Sequence, residues 1–158
     1  MQQWFYTQNP DNEAIAKARE ERSRIMNKEV ESIQGKPVDW SDQEWTDRLK
    51  DFVDTCDADL FGITPVQQKY YFEGHEAKFK WAIMLGFEHD YEQIKHAPED
   101  LAGAEVVRQY GRSNKVVKEI ASFIRRNGWD AELHSGPLAG PILLIPHAIA
   151  CGFGELGK

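Results

Sequence analysis

Cysteine is nearly missing from this chain: two residues, Cys56 and Cys151, stand far apart in 158. Structural zinc and iron–sulfur clusters draw four ligands from closely spaced cysteine or histidine motifs, so two separated cysteines hold no such centre. A long apolar run is also missing. The longest, WAIML and ILLI, fall far short of the roughly 20 residues that a bilayer crossing takes, and no membrane span is expected. The N-terminal MQQWFYTQNPDNE lacks the basic start and apolar core of a secretory signal and the Arg/Ser-rich character of an organelle presequence, which gives a cytoplasmic expectation. Basic charge is in deficit, 19 Lys and Arg against 26 Asp and Glu, a formal net charge of −7. Nucleic-acid phosphates are tracked by clustered Lys and Arg, so a whole-surface nucleic-acid partner is disfavoured, while a local basic groove stays open. Tight metal-ligand spacing is absent as well: His75, His89, His96 and His147 make no H-E-x-x-H pattern, and GHEA is half a motif.

What is present is enough apolar residue, 41% of the chain, for one domain with its own core. From Asp11 to Gln34 a helix is predicted, with Ile15, Ala18, Arg22, Ile25, Met26, Val30 and Ile33 as a narrow stripe that GKP ends. The next helix has a complete start. Ser41 and Glu44 have the spacing of a capping box, Trp40 and Trp45 that of a hydrophobic staple, and Trp45, Leu49, Phe52, Val53 and Cys56 mark its buried face. DLFGITPV reads as a strand. Trp81 to Leu85 is apolar on both faces, which predicts a strand inside a sheet with a layer on each side. Val106, Tyr110, Val117, Ile120, Ala121 and Ile124 mark a long helix stopped at RRNG, WDAEL reads as another strand, and PHAIAC as a short helix closed by a turn at Gly152. Helices mix with strands without clean βαβ alternation, so the fold class is α+β.

The last eight residues, CGFGELGK, match two phosphate motifs at once. Gly152, Gly154 and Gly157 spell G-x-G-x-x-G, and Gly152 to Lys158 spell G-x-x-x-x-G-K. A phosphate loop needs a strand that delivers the glycines straight into a helix N-terminus. Pro146 and His147 interrupt the segment where that strand belongs, so the nucleotide readings rank below a plain helix-ending turn. Cys151, with no partner base in the sequence, reads as a small buried residue.

Taken in order, DLFGITPV, WAIMLGFEHDYEQI, the long helix and HSGPLAGPILLIPHAIACGFGELGK resemble the cobalamin-side domain of reductive dehalogenases and epoxyqueuosine reductases, cobalamin-dependent enzymes that also carry two 4Fe-4S clusters. The resemblance covers about Asp59 to Lys158, and its most specific piece is IPHAIACGFGELGK, similar to that family's GLGE-x-G-K/R loop. It implies a nitroreductase-like mixed sheet with flanking helices, incomplete at its C-terminus, in which a helical segment 1–57 precedes a partial cobalamin-binding domain 58–158. Gly152, Phe153, Gly154 and Gly157 would then touch the corrinoid, with the clusters only in a longer chain. Reduction at such a centre also takes a proton donor. EHDYEQ offers Tyr91, similar to the family's DYH-type stretch but with the histidine first, and LHSGP offers His134 where epoxyqueuosine reductases carry an acid in a DSAP-like stretch. The bland readings stand beside these, Tyr91 as an amphipathic loop residue and His134 as a strand-end residue. The implied partner is a small-molecule substrate or an electron-donor protein, with nucleic acid disfavoured but a modified-tRNA substrate still open. The alternatives are a non-catalytic binding domain of the same fold and a phosphate-loop nucleotide-binding protein.

Overall fold

The structure, a computed structural model, describes residues 12–136 and 140–157. The first helix, α1 (Glu13–Asn27), starts where Asn12 accepts the Ile15 amide at 3.1 Å. Asn12 also donates to Asp100 at 2.9 Å, which ties this start to the start of the long helix α4 (Asp100–Arg126). Ile15 and Ala18 are buried against α4. The helix ends at Asn27, well before the predicted Gln34. The reason lies on α4: the Lys118 ammonium takes the carbonyls of Ile25, Met26 and Lys28 and so caps the helix from outside. The chain then runs extended beside α4, with Gln34 N–H on the Arg125 carbonyl and Val38 N–H on that of Asn127.

Helix α2 (Asp42–Val53) begins as its sequence predicts. Ser41 N–H donates to the Glu44 carboxylate at 2.8 Å and Glu44 N–H to the Ser41 hydroxyl at 3.3 Å, while the Trp40 and Trp45 rings meet edge to face at 4.9 Å. Its buried Leu49 and Val53 join Val116 and Ile120 of α4 in the core.

Strands β1 (Leu60–Pro65) and β2 (Trp81–Gly86) pair antiparallel, with Phe61 opposite Leu85 and Ile63 opposite Ile83. Among the described residues the sheet has these two strands, so β2 is not enclosed by strands on both sides as predicted. Its two apolar faces have another cause. Phe61, Ile63, Ile83 and Leu85 pack on the α2–α4 core, whereas Thr64 and Met84, also buried, lie on the opposite face, and the short helix α5 (Leu144–Ala150) packs on the two strands. A single ribbon is thus held between helices, and α+β stands.

The predicted strand WDAEL is a correction: among the described residues, 129–133 form no strand and pair with none. Their polar groups are taken by side chains and a loop instead. Arg125 holds the Asp130 carboxylate at 3.2 Å and the Ala131 carbonyl at 3.0 Å, and the Trp129 indole N–H donates to the Val38 carbonyl. A four-residue helix, α3 (Tyr91–Ile94), completes the fold between β2 and α4.

Candidate functional site

The glycine loop is built from α5 outward. Pro146 lies in the first turn, where its missing N–H leaves no gap. His147 is 1% exposed. Its Nδ1 lies 2.9 Å from the Leu143 carbonyl, its Nε2 accepts from Gln67 N–H at 3.4 Å, and its ring meets Tyr70 edge-on, so it locks α5 to the loop after β1 with the proton on Nδ1. The helix closes with Gly152 N–H on the Ile149 carbonyl and Phe153 N–H on the Ala148 carbonyl, the paired bonds of a Schellman cap, with Gly152 at φ +79°. The predicted short helix and glycine turn are both there.

That cap is seated on the sheet through Gly62. A Cβ built there would fall 2.6 Å from Cys151 Cβ and 3.1 Å from the Phe153 ring, so only glycine lets the end of α5 lie this close to β1. Past Phe153 the loop leaves the protein. Gly154 has φ +148°, Leu156 is 71% exposed, and a Cβ at Gly152, Gly154 or Gly157 would meet nothing within 4 Å. Lys158, the last residue of the phosphate-loop match, lies outside the described residues. A helix and not a strand enters the loop, and the loop sits at the carbonyl end of that helix, where the dipole repels phosphate. The described part of CGFGELGK therefore has none of the geometry that grips a nucleotide. Burial pushes the thiols of Cys151 and Cys56 above their ordinary range, in Cys56 with the Glu119 charge adding to it, so neither is an activated nucleophile.

Tyr91 opens α3, and its side chain is 72% exposed. Its neighbour Asp90 caps that helix by accepting Glu92 N–H at 2.9 Å, and Asp90 N–H in turn donates to the buried carboxylate of Glu105 at 2.8 Å. His134 lies in the extended strap after α4. Its ring packs directly on Gly140, where any Cβ would overlap Nδ1, and Nε2 is 3.9 Å from the Glu132 carboxylate. The next residue, Ser135, donates to Asn114 of α4 at 2.6 Å. Tyr91, His134 and the glycine loop thus stand on three supports: the first half of α4, the strap along α4, and β1.

Two surface hollows of about 350 and 300 Å³ lie elsewhere, one walled by Trp40, Arg48, Phe52 and Phe123, the other by Lys28, Lys115, Lys118 and Glu119. None of the predicted site residues lines either. Among the described residues no group of three or more His, Cys, Asp and Glu is arranged to hold a metal ion, and no helix is long and apolar enough to cross a membrane.

Sequence reasoning missed the polar residues of α4. Glu105, Gln109 and Arg112 recur at i, i+4 and i+7, a spacing that sets them on one face of the helix and that the search for apolar periodicity passes over.

Over 82 residues, 51% of its length, the chain is 32% identical to a tetrachloroethene reductive dehalogenase of Dehalobacter restrictus and 30% identical to a tetrachloroethene reductive dehalogenase of Desulfitobacterium hafniense. The match spans 14% of the length of each of these relatives. No family model and no solved structure matches the chain. The similarity supports a distant relationship to reductive dehalogenases.

Proposed function

We propose that this chain is part of a reductive-dehalogenase-type oxidoreductase, in which its glycine loop faces a corrinoid and Tyr91 or His134 supplies a proton to a small organohalide substrate. The observation that carries the reading is the partial identity to two tetrachloroethene reductive dehalogenases. A nitroreductase-like sheet for the complete unit, an electron-donor protein as partner and a cytoplasmic setting belong to the same reading.

The residues fit a corrinoid in two respects. Gly152, Gly154 and Gly157 leave the backbone bare with open space above it, which lets a large flat group come close, and the neighbouring Leu156 is exposed and apolar. When bound, such a group supplies a reducible cobalt centre for cleaving a carbon–halogen bond. The chain's own part is to offer Gly152, Phe153, Gly154 and Gly157 as the contact surface, and Tyr91 or His134 as the proton donor. Iron–sulfur clusters do not fit: the two cysteines have raised thiol pKa values and belong to no ligand group. In this reading the clusters belong to polypeptide beyond this chain.

Titration of the chain with hydroxocobalamin, followed by the corrin absorption bands, tests the proposal. A saturable shift is expected, weakened by Gly154→Val through steric intrusion. No shift would overturn it, and tight ATP binding in its place would restore the phosphate-loop reading. Corrinoid binding without reduction, once an electron donor is added to a longer polypeptide, would select the non-catalytic binding domain.

A further inference from the structure

We propose that Glu105 is a positioning residue: together with Gln109 and Arg112 it forms a polar stripe on α4 that holds the loop 88–90 rigid and so fixes how His89 and Tyr91 are presented. The three residues follow one face of the helix at i, i+4 and i+7. Glu105 is 2% exposed, and its Oε1 accepts Asp90 N–H at 2.8 Å and Gln109 Nε2 at 2.7 Å. Its Oε2 faces Arg108 at 3.3 Å, and His89 Nδ1 stands 3.8 Å from Oε1. Gln109 Oε1 accepts from Arg112, whose guanidinium forks onto both oxygens of Asp59 at 2.9 and 3.0 Å, meets Asp57 at 2.8 Å and reaches the Glu88 carbonyl at 3.5 Å. Asp59 closes the circuit by accepting Glu88 N–H at 2.7 Å.

The backbone on either side of His89 is therefore held. Glu88 is gripped at its N–H and its carbonyl, Asp90 at its N–H, and the Asp90 side chain caps the helix that Tyr91 begins. Directly outside this tethered backbone stand two solvent-facing proton-transfer side chains, Tyr91 and the 42%-exposed His89. Folding alone does not call for such an arrangement. A buried carboxylate carries a desolvation cost, and replacing a whole buried polar network by well-packed apolar residues is often neutral or stabilising. What the carboxylate adds is orientation, which proton transfer needs and apolar packing does not give. The task assigned to Tyr91 rests on the function proposed above. The ordering of its loop by Glu105 does not.

The test uses the whole chain with Glu105→Leu and Glu105→Gln, measuring thermal melting, exchange of the Asp90 amide and the order parameter of the Tyr91 amide. Glu105→Leu takes the acceptor away from the Asp90 N–H and the Gln109 amide, so it is expected to melt below the wild-type temperature, and Glu105→Gln close to it. At the same time the Asp90 amide should exchange at least about tenfold faster, and the Tyr91 order parameter should drop from about 0.85 to below about 0.6. Glu105→Gln keeps an oxygen for Asp90 N–H and should restore both. Loop amides as protected and ordered in Glu105→Leu as in wild type would overturn the proposal, and so would global melting of both variants at reduced temperature. A parallel hydroxocobalamin titration separates the two ideas: no corrin shift in the wild type, with the loop behaving as expected, removes the dehalogenase reading and leaves the role of Glu105 standing.

Discussion

The two faces of the β1–β2 ribbon are closed by different means. On one, Phe61, Ile63, Ile83 and Leu85 meet Leu49, Val53, Val116 and Ile120, and branched side chains from two helices fill the space. On the other, the short helix α5 lies over Gly62 through Cys151 and Phe153 and is locked by His147, while Ile145, Ile149 and Leu156 stay exposed. The first face gains its stability from interdigitated apolar volume. The second gains proximity, because a missing side chain lets a helix end approach a strand and leaves a bare glycine backbone beyond it. One face anchors the chain and the other presents it.

The sharpest break in that contrast is Leu49→Ala. It removes volume from the closed face, where about 2–5 kcal/mol is the usual cost, and denaturant unfolding should show the whole chain losing stability in one transition. Gly62→Val acts on the other face. The added atoms overlap Cys151, at an overpacking cost of about 1–3 kcal/mol, and amide exchange should rise in α5 while α1 and α4 keep their protection. Equal loss of protection everywhere would show that the two faces are one cooperative unit.

A third prediction concerns pH at the edge between the faces. Hydrogen bonds from Arg112, and then from Glu88 N–H, hold the Asp59 carboxyl below the usual carboxylate range. A depressed carboxylate contributes stability that is complete above its unfolded value, about 3.9, and is lost as pH falls through the lower folded value. The Glu88 amide should therefore lose protection only in acid below that point, and Arg112→Met should move the loss toward pH 4. The smallest effect is expected at Gly157→Ala, where a Cβ meets only open space, so unfolding stability should change by less than about 0.5 kcal/mol. Weaker hydroxocobalamin binding in the same variant would mark the loop as a contact surface and not a structural element.

Local signals were legible where one stretch of sequence carries all its partners. The Ser41–Glu44 box, the Trp40–Trp45 staple, the turn at Gly152 and the apolar strand β2 are visible in order because each is decided within a few residues. The end of α1 was not legible, since Lys118, some ninety positions later, supplies its cap. The strand expected at 129–133 failed for a related reason: β propensity gives an extended backbone, but a strand also needs a neighbour, and Arg125 and Val38 take the polar groups instead.

The candidate site divides the same way. Sequence brought out Tyr91, His134 and the glycines as chemically able groups, and the structure sets them on separate supports. By itself the sequence determined the α+β class, the capped start of α2 and the glycine turn, because capping and periodicity are short-range. Only the tertiary structure decided that the glycine loop lies at the carbonyl end of a helix and that Glu105 turns inward to hold Asp90, because dipole direction and buried hydrogen bonds depend on which distant elements come to face each other.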